Sequence, residues 1–363
     1  MTDSSEKGNA FRSLVAAAAV VVVVAGMRAA QPIVVPFLMA AFIAIICWPP
    51  LKWLEEKRVP SVLALLIVIS VITIVGVVVV GLIGTSVNDF LQKTPEYGTR
   101  LTEKKELIVA WLEEKDLPVS DLLEQRGFDP KRVMQIFANI LGGLGSLFSD
   151  ALLILVILAF MLLEASGFPV KLRAIAGAGR QTGGGPKKIV ADVRHYVAIK
   201  TAVSILTGAI VVSWLTLLGV DYPLLWGLLA FFFNFVPNIG SFIAAIPAVL
   251  LAFIQIDAAT ALYAALGYVV VNGILGNVVE PRVMGRGLGL STLVVFLSLL
   301  FWGWVLGPVG MLLSVPLTMI AKIVMESSDD TRWIAILLGS EAAAEECLQA
   351  QRDVAAEDAP ARS

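Results

Sequence analysis

The feature that most constrains this chain is a series of long apolar blocks that carry almost no charge. The clearest blocks are Leu14–Met27, Ile33–Trp48, Ser61–Gly84, Ala151–Leu163, Ala198–Val220 and Ala258–Val279. Apolar runs of about 17–25 residues have the length that crosses the hydrocarbon of a bilayer. Only 15% of the residues are charged, whereas a soluble domain carries roughly a quarter. We therefore predict an all-α protein, a polytopic transmembrane helical bundle.

The sequence carries no motif typical of an enzyme. Cys47 lies in an apolar block and Cys347 in an acidic tail, so neither a disulfide nor a C-x-x-C site is expected. The one histidine, His195, has no histidine or cysteine at metal-ligand spacing. Phosphate-loop, nucleophile-elbow and dinucleotide-binding motifs are also absent from the sequence. We predict a protein that is not an enzyme, with no cofactor, no metal site and no nucleic-acid partner.

The distribution of basic residues predicts the topology, because lysine and arginine stay on the cytoplasmic side of short loops. Lys7 and Arg12 precede the first block, and three basic residues follow the second. The first two blocks are thus predicted to form a hairpin that turns near Met27–Gln31. Residues 165–200 hold seven basic residues and one acid, which indicates a cytoplasmic loop. We expect a multi-pass protein of the bacterial cytoplasmic (inner) membrane with both termini in the cytoplasm; a cleaved signal peptide in residues 1–30 is the alternative at the start.

Four regions follow from these patterns. They are residues 1–87, an N-terminal transmembrane hairpin and third span; 88–146, a small extracytoplasmic helical segment; 147–326, the transmembrane core with its basic loop; and 327–363, an acidic cytoplasmic tail. The segment 88–146 has apolar residues at roughly helical spacing, and it forms either a lid or assembly collar or a solvated helical connection. Residues Pro186–Lys200 form either a helix on the membrane surface or the lead-in to the next span.

One stretch contradicts a simple membrane helix, because NFVPNIG at residues 234–240 places two amides, a proline and a glycine inside an apolar region. The run before it, Leu224–Val236, covers only about 20 Å at 1.5 Å per residue, less than the hydrocarbon thickness. Broken backbone at membrane depth survives where it packs in protein or lines water. We predict a re-entrant pair or broken helix next to a transported molecule; the alternative is a plain turn at the inner surface. Similar proline-bounded breaks are predicted in Pro36–Pro49 and Leu306–Pro316.

Three motifs also carry a resemblance to a known family. They are Asn234–Gly240 leading to Pro247, then Val279–Gly285, then Gly307–Pro316. Over roughly residues 12–326 the chain resembles the autoinducer-2 exporter family of bacterial membrane proteins, although Asn238 stands where an aromatic residue is frequent. The resemblance implies a transporter; some members of the family are linked to quorum-signal export and others to sodium–proton exchange.

The candidate residues of a substrate pathway come from the broken segments and from polar groups within the blocks. They are Asn234, Pro237, Asn238, Gly240, Pro247, Asn272, Asn277, Glu280, Pro281, Gly307, Pro308, Gly310 and Pro316. Glu280 is the best ionisable candidate, since acids in membrane segments often mark ion pathways; alternatively it pairs with Arg282 at the interface. Asn272 and Asn277 either line a polar path or bond one helix to another.

Three functions remain open from the sequence. The first is a secondary transporter that exports a small polar or signalling molecule through a pathway lined by broken helices. The second is a sodium(lithium)/proton antiporter, which needs a titrating carboxylate such as Glu280. The third is a non-transporting membrane scaffold. As partners we expect the lipid bilayer, a small-molecule or ion substrate and further copies of the chain in a homo-oligomer, with a ring as one form.

Overall fold

The computed structural model of the chain describes residues 15, 18–115, 150–165, 185–237, 240–284, 289–326, 331–341, 345, 348 and 349. Within these residues every regular element is a helix and no strand occurs. The helices are α1 (Ala18–Ala29), α2 (Gln31–Glu56), α3 (Ser61–Glu113), α4 (Ala151–Ala165), α5 (Gly185–Leu217), α6 (Pro223–Phe233), α7 (Gly240–Gln255), α8 (Ala258–Ile274), α9 (Glu280–Met284), α10 (Thr292–Glu326) and α11 (Arg332–Leu337). A π-helical segment, Leu275–Val279, joins α8 to α9.

Several of these helices have the length and composition of membrane spans. Five helical stretches qualify, namely α2, the first 47 residues of α3, Val193–Leu217 of α5, Ala258–Met284 and α10. Their apolar side chains are largely exposed; in α3, for example, Val62, Leu66, Ile74 and Val77 all face outward. Such a surface is unfavourable in water but suits lipid. The predicted all-α transmembrane bundle is confirmed.

The described residues fall into two compact units, each drawn from segments that are distant in sequence. The first unit comes from Met1–Ile46, Phe160–Ala198 and Met284–Ser363, and the second from Cys47–Ala159 and Ile199–Val283. The boundaries of these units differ from those of the four predicted regions. Two of the unit boundaries, at residues 46/47 and 198/199, lie inside helices α2 and α5.

The junction of α1 and α2 lies at Ala30, inside the range Met27–Gln31 where the turn of a hairpin is predicted. The backbone N–H of Ala30 donates to the carbonyl of Gly26, and the N–H of Val34 donates to the carbonyl of Ala30, each over 2.9 Å. Both bonds have the four-residue spacing of an α-helix. The interruption is one residue long and lies where Pro32 has no N–H to donate. The two helices are therefore joined through the single turn residue Ala30, with no longer loop between them.

Three other predicted features also lie inside helices. The proline-bounded run Pro36–Pro49 is wholly within α2, so the predicted break there is wrong; neighbouring groups in membrane helices can compensate for the donors that prolines remove. Helix α3 runs past Gly84 and Pro95 as far as Glu113. Residues Pro186–Lys200 belong to α5, which supports the lead-in interpretation over a separate surface helix.

The break predicted near the C-terminus is present at Gly307. Its φ of 69° and ψ of −153° are not helical, and they lie in a region that only glycine adopts without strain. The indole nitrogen of Trp302 donates to the hydroxyl of Thr318 over 3.0 Å, whereas a straight helix would separate these residues by about 24 Å. Helix α10 therefore folds back on itself as a hairpin, and Pro316 lies inside its second limb.

Candidate functional site

Helices α6 and α7 form a second hairpin, which is the break predicted at residues 234–240. The two helices pack against each other, and at 11 and 16 residues they are about 16 and 24 Å long. Gly240 starts α7, and a Cβ on it would collide with the carbonyl oxygen of Phe233. A side chain is therefore excluded at this position, as it is at Gly310 of the other hairpin, where a Cβ would collide with the carbonyl oxygen of Trp302.

Both open ends of the α6–α7 hairpin lie at the same end of their unit. The side-chain oxygen of Gln255, the last residue of α7, accepts a hydrogen bond from the backbone N–H of Asp221 over 2.9 Å. The side-chain amide of Gln255 donates to the carbonyl of Gly219 over 3.2 Å. The chain thus enters the hairpin and leaves it beside the same loop, which is the layout of a re-entrant element.

The distal part of α3 covers this open end. The hydroxyl of Tyr97 donates to the Asp221 carboxylate over 2.8 Å. Arg100 and Lys104 donate to backbone carbonyls at the C-terminal end of α7, each over 3.0 Å. Cations in this position stabilise a helix C-terminus, because they satisfy free carbonyls and complement the helix dipole. The first part of the predicted extracytoplasmic helical segment, 88–146, is therefore packed onto the α6–α7 hairpin.

The tip of the hairpin carries a buried amide. The side-chain nitrogen of Asn234 donates to the hydroxyl of Ser204 on α5 over 2.9 Å, and both residues are buried. Ser204 lies about 15 residues before Gly219 at the open end, a distance of about 22 Å along α5. The tip therefore reaches well into the apolar part of the unit. Pro237 is half-buried beside it, and Asn238 lies outside the described residues.

Ser204 belongs to a row of polar side chains along one face of α5. Lys200, Ser204 and Thr207 are spaced by four and three residues, so they lie on the same side of the helix, and all three are buried. Thr207 donates to the carbonyl of Val203 in its own helix. We call Lys200, Ser204 and Thr207, together with Asn234 and Glu280, the polar seam.

Glu280 holds the end of the polar seam through an ion pair. Lys200 Nζ donates to both carboxylate oxygens of Glu280, over 2.7 and 2.8 Å, and the two side chains are only 7% and 15% exposed. Burial at this level makes the pair obligatory for both charges, because either one alone would be poorly solvated. Glu280 therefore pairs with Lys200 on α5, whereas Arg282, the partner considered from the sequence, is exposed.

The backbone before Glu280 is π-helical, which the sequence analysis did not predict. A π-helical turn inserts an extra residue into a helix and often occurs at functional sites. Asn277 lies within this turn and is exposed. Asn272, one turn earlier in α8, donates its side-chain amide to the carbonyl of Tyr268 over 2.9 Å. That bond is internal to α8, so it does not join two helices.

The remaining predicted residues are distributed over both units. Pro247 is buried in the interior of α7, and Pro281 is exposed in α9. The first unit contains the other four, Gly307, Pro308, Gly310 and Pro316. Of these, Gly310 and Pro316 are buried and Pro308 is exposed. Lys200, Ser204 and Thr207 are the residues that the sequence analysis missed, and the one available signal was a single lysine inside the block Ala198–Val220.

Apolar spans, a re-entrant hairpin and a buried polar seam define a multi-pass membrane protein of the transporter class. Residues 17–329 match the family described as AI-2E family transporter, and the chain belongs to that family. It is 38% identical over 91% of its length to the AI-2 transport protein TqsA of Escherichia coli, 96% of which is covered. A putative transport protein of Haemophilus influenzae is 39% identical, over 91% of this chain and 97% of its own. Escherichia coli YhhT, also a putative transport protein, is 38% identical over 89% of this chain and 92% of its own.

Proposed function

We propose that the chain is a secondary transporter that exports a small polar or signalling molecule, similar to autoinducer-2, along the polar seam. The observation that carries this proposal is the contact between Asn234, at the tip of the re-entrant hairpin, and the buried row on α5. The printed name of the relative TqsA, an AI-2 transport protein, supports the substrate class. Pro237 and Gly240 act in this proposal by forming the break that brings Asn234 to α5.

The chemistry of the polar seam suits a solute rich in oxygen atoms. An ammonium, two hydroxyls and an amide supply hydrogen-bond donors, while Glu280 supplies an acceptor. Burying such groups in an apolar bundle is unfavourable unless each one is hydrogen-bonded. Their presence on one face of α5 therefore supports a role in function rather than in stability. In this proposal the side chains pair with each other when the seam is closed and with the solute when it opens.

The flux of isotope-labelled autoinducer-2 out of proteoliposomes tests the proposal, with every rate divided by the amount of inserted protein. Asn234→Leu removes the amide at nearly constant volume and should lower the flux strongly. Asn272→Leu is the matched control, because that amide bonds within its own helix and its loss should leave the flux near that of the parent. If Asn234→Leu and Asn272→Leu gave the same flux, the hairpin tip would not contact the solute. If the parent protein gave no flux, the third function, a non-transporting membrane scaffold, would be favoured.

The absolute orientation is part of the proposal. We place the end with Asp221 outside and the end with the Lys200–Glu280 pair towards the cytoplasm, because residues 165–200 are basic. After replacement of Cys47 and Cys347, a membrane-impermeant thiol reagent should label Lys187→Cys from the inside only and Lys104→Cys from the outside only. The reverse pattern would invert the orientation of the whole protein. Both termini are cytoplasmic and the membrane is the bacterial inner membrane in this proposal.

Sodium(lithium)/proton antiport is the second candidate, and the buried ion pair is what favours it. A proton or a small cation that neutralises Glu280 would release Lys200, so occupancy of the carboxylate could be linked to movement of α5 against α9. Proteoliposomes with imposed sodium and pH gradients test this. Glu280→Gln should abolish sodium-driven proton movement if antiport occurs, and unchanged exchange would exclude Glu280 as the proton carrier. If the rate of autoinducer-2 export did not depend on either gradient, export would be favoured over antiport.

We propose further that the chain works as a homo-oligomer in the bilayer, and a ring is the arrangement that we favour. The broad apolar surface of helices such as α3 provides area for contacts between copies as well as for lipid. Native mass spectrometry of the protein released from nanodiscs should give one defined multiple of the chain mass, and a monomer alone would refute this proposal.

A further inference from the structure

Helix α11, which follows the last apolar span, has an apolar face that no described residue covers. Trp333, Ile336 and Leu337 are 61%, 43% and 69% exposed, whereas Ala335 is fully buried. Residues three and four apart share one side of a helix, so the three large side chains form a single exposed face. The opposite side, with Ala335, packs against the protein.

Three hydrogen bonds fix where α11 lies, and a fourth joins the end of α10 to the loop before it. The N–H of Ser291 donates to the carbonyl of Leu338 over 3.1 Å, and the N–H of Ser340 donates to the carbonyl of Gly289 over 3.3 Å. At the other end of α10, Lys322 Nζ donates to the same Gly289 carbonyl over 2.6 Å. The hydroxyl of Thr331 donates to the carbonyl of Met325 over 2.9 Å. Helix α11 is thus attached to both open ends of the α10 hairpin.

These two ends also carry exposed apolar side chains that a membrane must cover. Leu293 lies in the first turn of α10 and Val324 in its last, and both are exposed. The bonds from Ser291 and to Met325 place α11 within about one helical turn, roughly 5 Å, of both. An element so close to lipid-facing residues stands at the boundary between hydrocarbon and headgroups.

We propose that α11 lies in the interface of the lipid bilayer, with Trp333, Ile336 and Leu337 inserted between the lipid molecules. Arg332 supports this, because it is exposed and stands at the edge of the apolar face next to Ile336. An arginine there reaches the headgroups while its stem stays near the hydrocarbon. Tryptophan is enriched at the same depth because its ring is amphipathic.

The interfacial position gives α11 a mechanical role. It is bonded to the loop before α10 and to the last turn of α10, so insertion of its apolar face fixes both ends of the hairpin at one depth. Apart from lipid, hydrogen bonds and the packing of Ala335 hold α11 to its unit. The segment is short, so the attachment to α10, rather than helix propensity, keeps it folded.

A fluorescent probe on Leu337→Cys tests the proposal in the full chain with Cys47 and Cys347 replaced. The protein is placed in phosphatidylcholine vesicles with and without a lipid that carries a nitroxide quencher high on its acyl chain. We expect the nitroxide lipid to quench the probe at residue 337 several-fold more strongly than a probe on Glu341→Cys, which is exposed beyond the end of α11. A probe on Ile336→Cys should behave like the one at 337.

Two results would overturn the proposal. Equal quenching at residues 337 and 341 would mean that the apolar face is in water. A blue-shifted but unquenched probe at 337 would mean that protein, such as a second copy of the chain, covers the face instead of lipid. Size-exclusion profiles equal to that of the parent show that each labelled variant is folded, so either result counts against the bilayer as the partner.

Discussion

Replacement of Lys200 by methionine is the sharpest test of the polar seam. The change keeps an unbranched side chain of nearly the same length but leaves the Glu280 carboxylate, only 15% exposed, without the ammonium that contacts both of its oxygens. Breaking a buried ion pair in this way costs about 3–5 kcal/mol. Because Glu280 keeps a little solvent contact, we expect about 3 kcal/mol, at the lower limit of that range. At about 2 °C per kcal/mol for a chain of this size, the melting temperature should fall by about 6 °C.

The double variant Lys200→Met/Glu280→Met separates the charge from the packing. It removes both charges and keeps similar volumes, so its stability should lie within about 1 kcal/mol of the parent. The matched control is Lys52→Met, which breaks the exposed pair between Lys52 and Glu55. That pair has nearly the same N–O distance, 2.8 Å, but its side chains are 47% and 21% exposed. Exposed pairs contribute about 0–1 kcal/mol, so Lys52→Met should melt within about 2 °C of the parent.

Tryptophan fluorescence of the protein in lipid nanodiscs, followed on heating, measures the four proteins under one condition. The reasoning fails if Lys200→Met melts as the Lys52→Met control does, because the carboxylate of Glu280 would then be solvated rather than buried. It also fails if the double variant loses as much as Lys200→Met alone, because the cost would then come from packing and not from an unpaired charge.

Three further predictions concern the backbone reversals and their support. Gly240→Val should prevent closure of the α6–α7 hairpin, because the added side chain meets the carbonyl of Phe233; transport per inserted protein should fall more than yield does, and a parallel fall of both would contradict this. Gly307→Ala should cost about 1–3 kcal/mol at its left-handed φ in the same melting assay, while Gly76→Ala, in open space on α3, should cost nothing; equal melting of the two would refute the strain. Lys104→Met should lower stability by about 0.5–1.5 kcal/mol, since it deletes the hydrogen bond to the end of α7; a melting temperature equal to that of the parent would show that this bond adds no stability.

The sequence allowed prediction of those features that depend on local chemistry. Apolar length alone predicts the spans, and the break at residues 234–240 follows from a proline and a glycine inside an apolar run. Gly307 is detectable for the same reason. Pro36–Pro49 shows the limit of this logic, because a proline in a membrane helix breaks it only if nothing compensates for the missing donor. Whether compensation occurs depends on the neighbouring chain, which local sequence does not describe.

The polar seam itself was only half predictable. Asn234 and Glu280 stand out as polar residues within apolar surroundings, but Lys200 stands at the end of a basic segment and was interpreted as part of a cytoplasmic loop. Its contact with Glu280 joins residues 80 positions apart, and such a pair exists only after α5 and α9 have packed. The π-helical turn was missed because its five residues, LGNVV, fit an ordinary helix equally well.

The reversal at Gly307 changes the parity of the membrane crossings. Counted by hydropathy, α10 is one span of 35 residues and would carry the chain from one side of the membrane to the other. Folded as a hairpin, it adds an even number of crossings, and the lysine near its end bonds to the loop before its start. A reporter fused after Glu326 and one inserted before Thr292 must therefore give the same sidedness. A topology that assigns the two reporters to opposite compartments has counted α10 as a single crossing and has missed the reversal at Gly307.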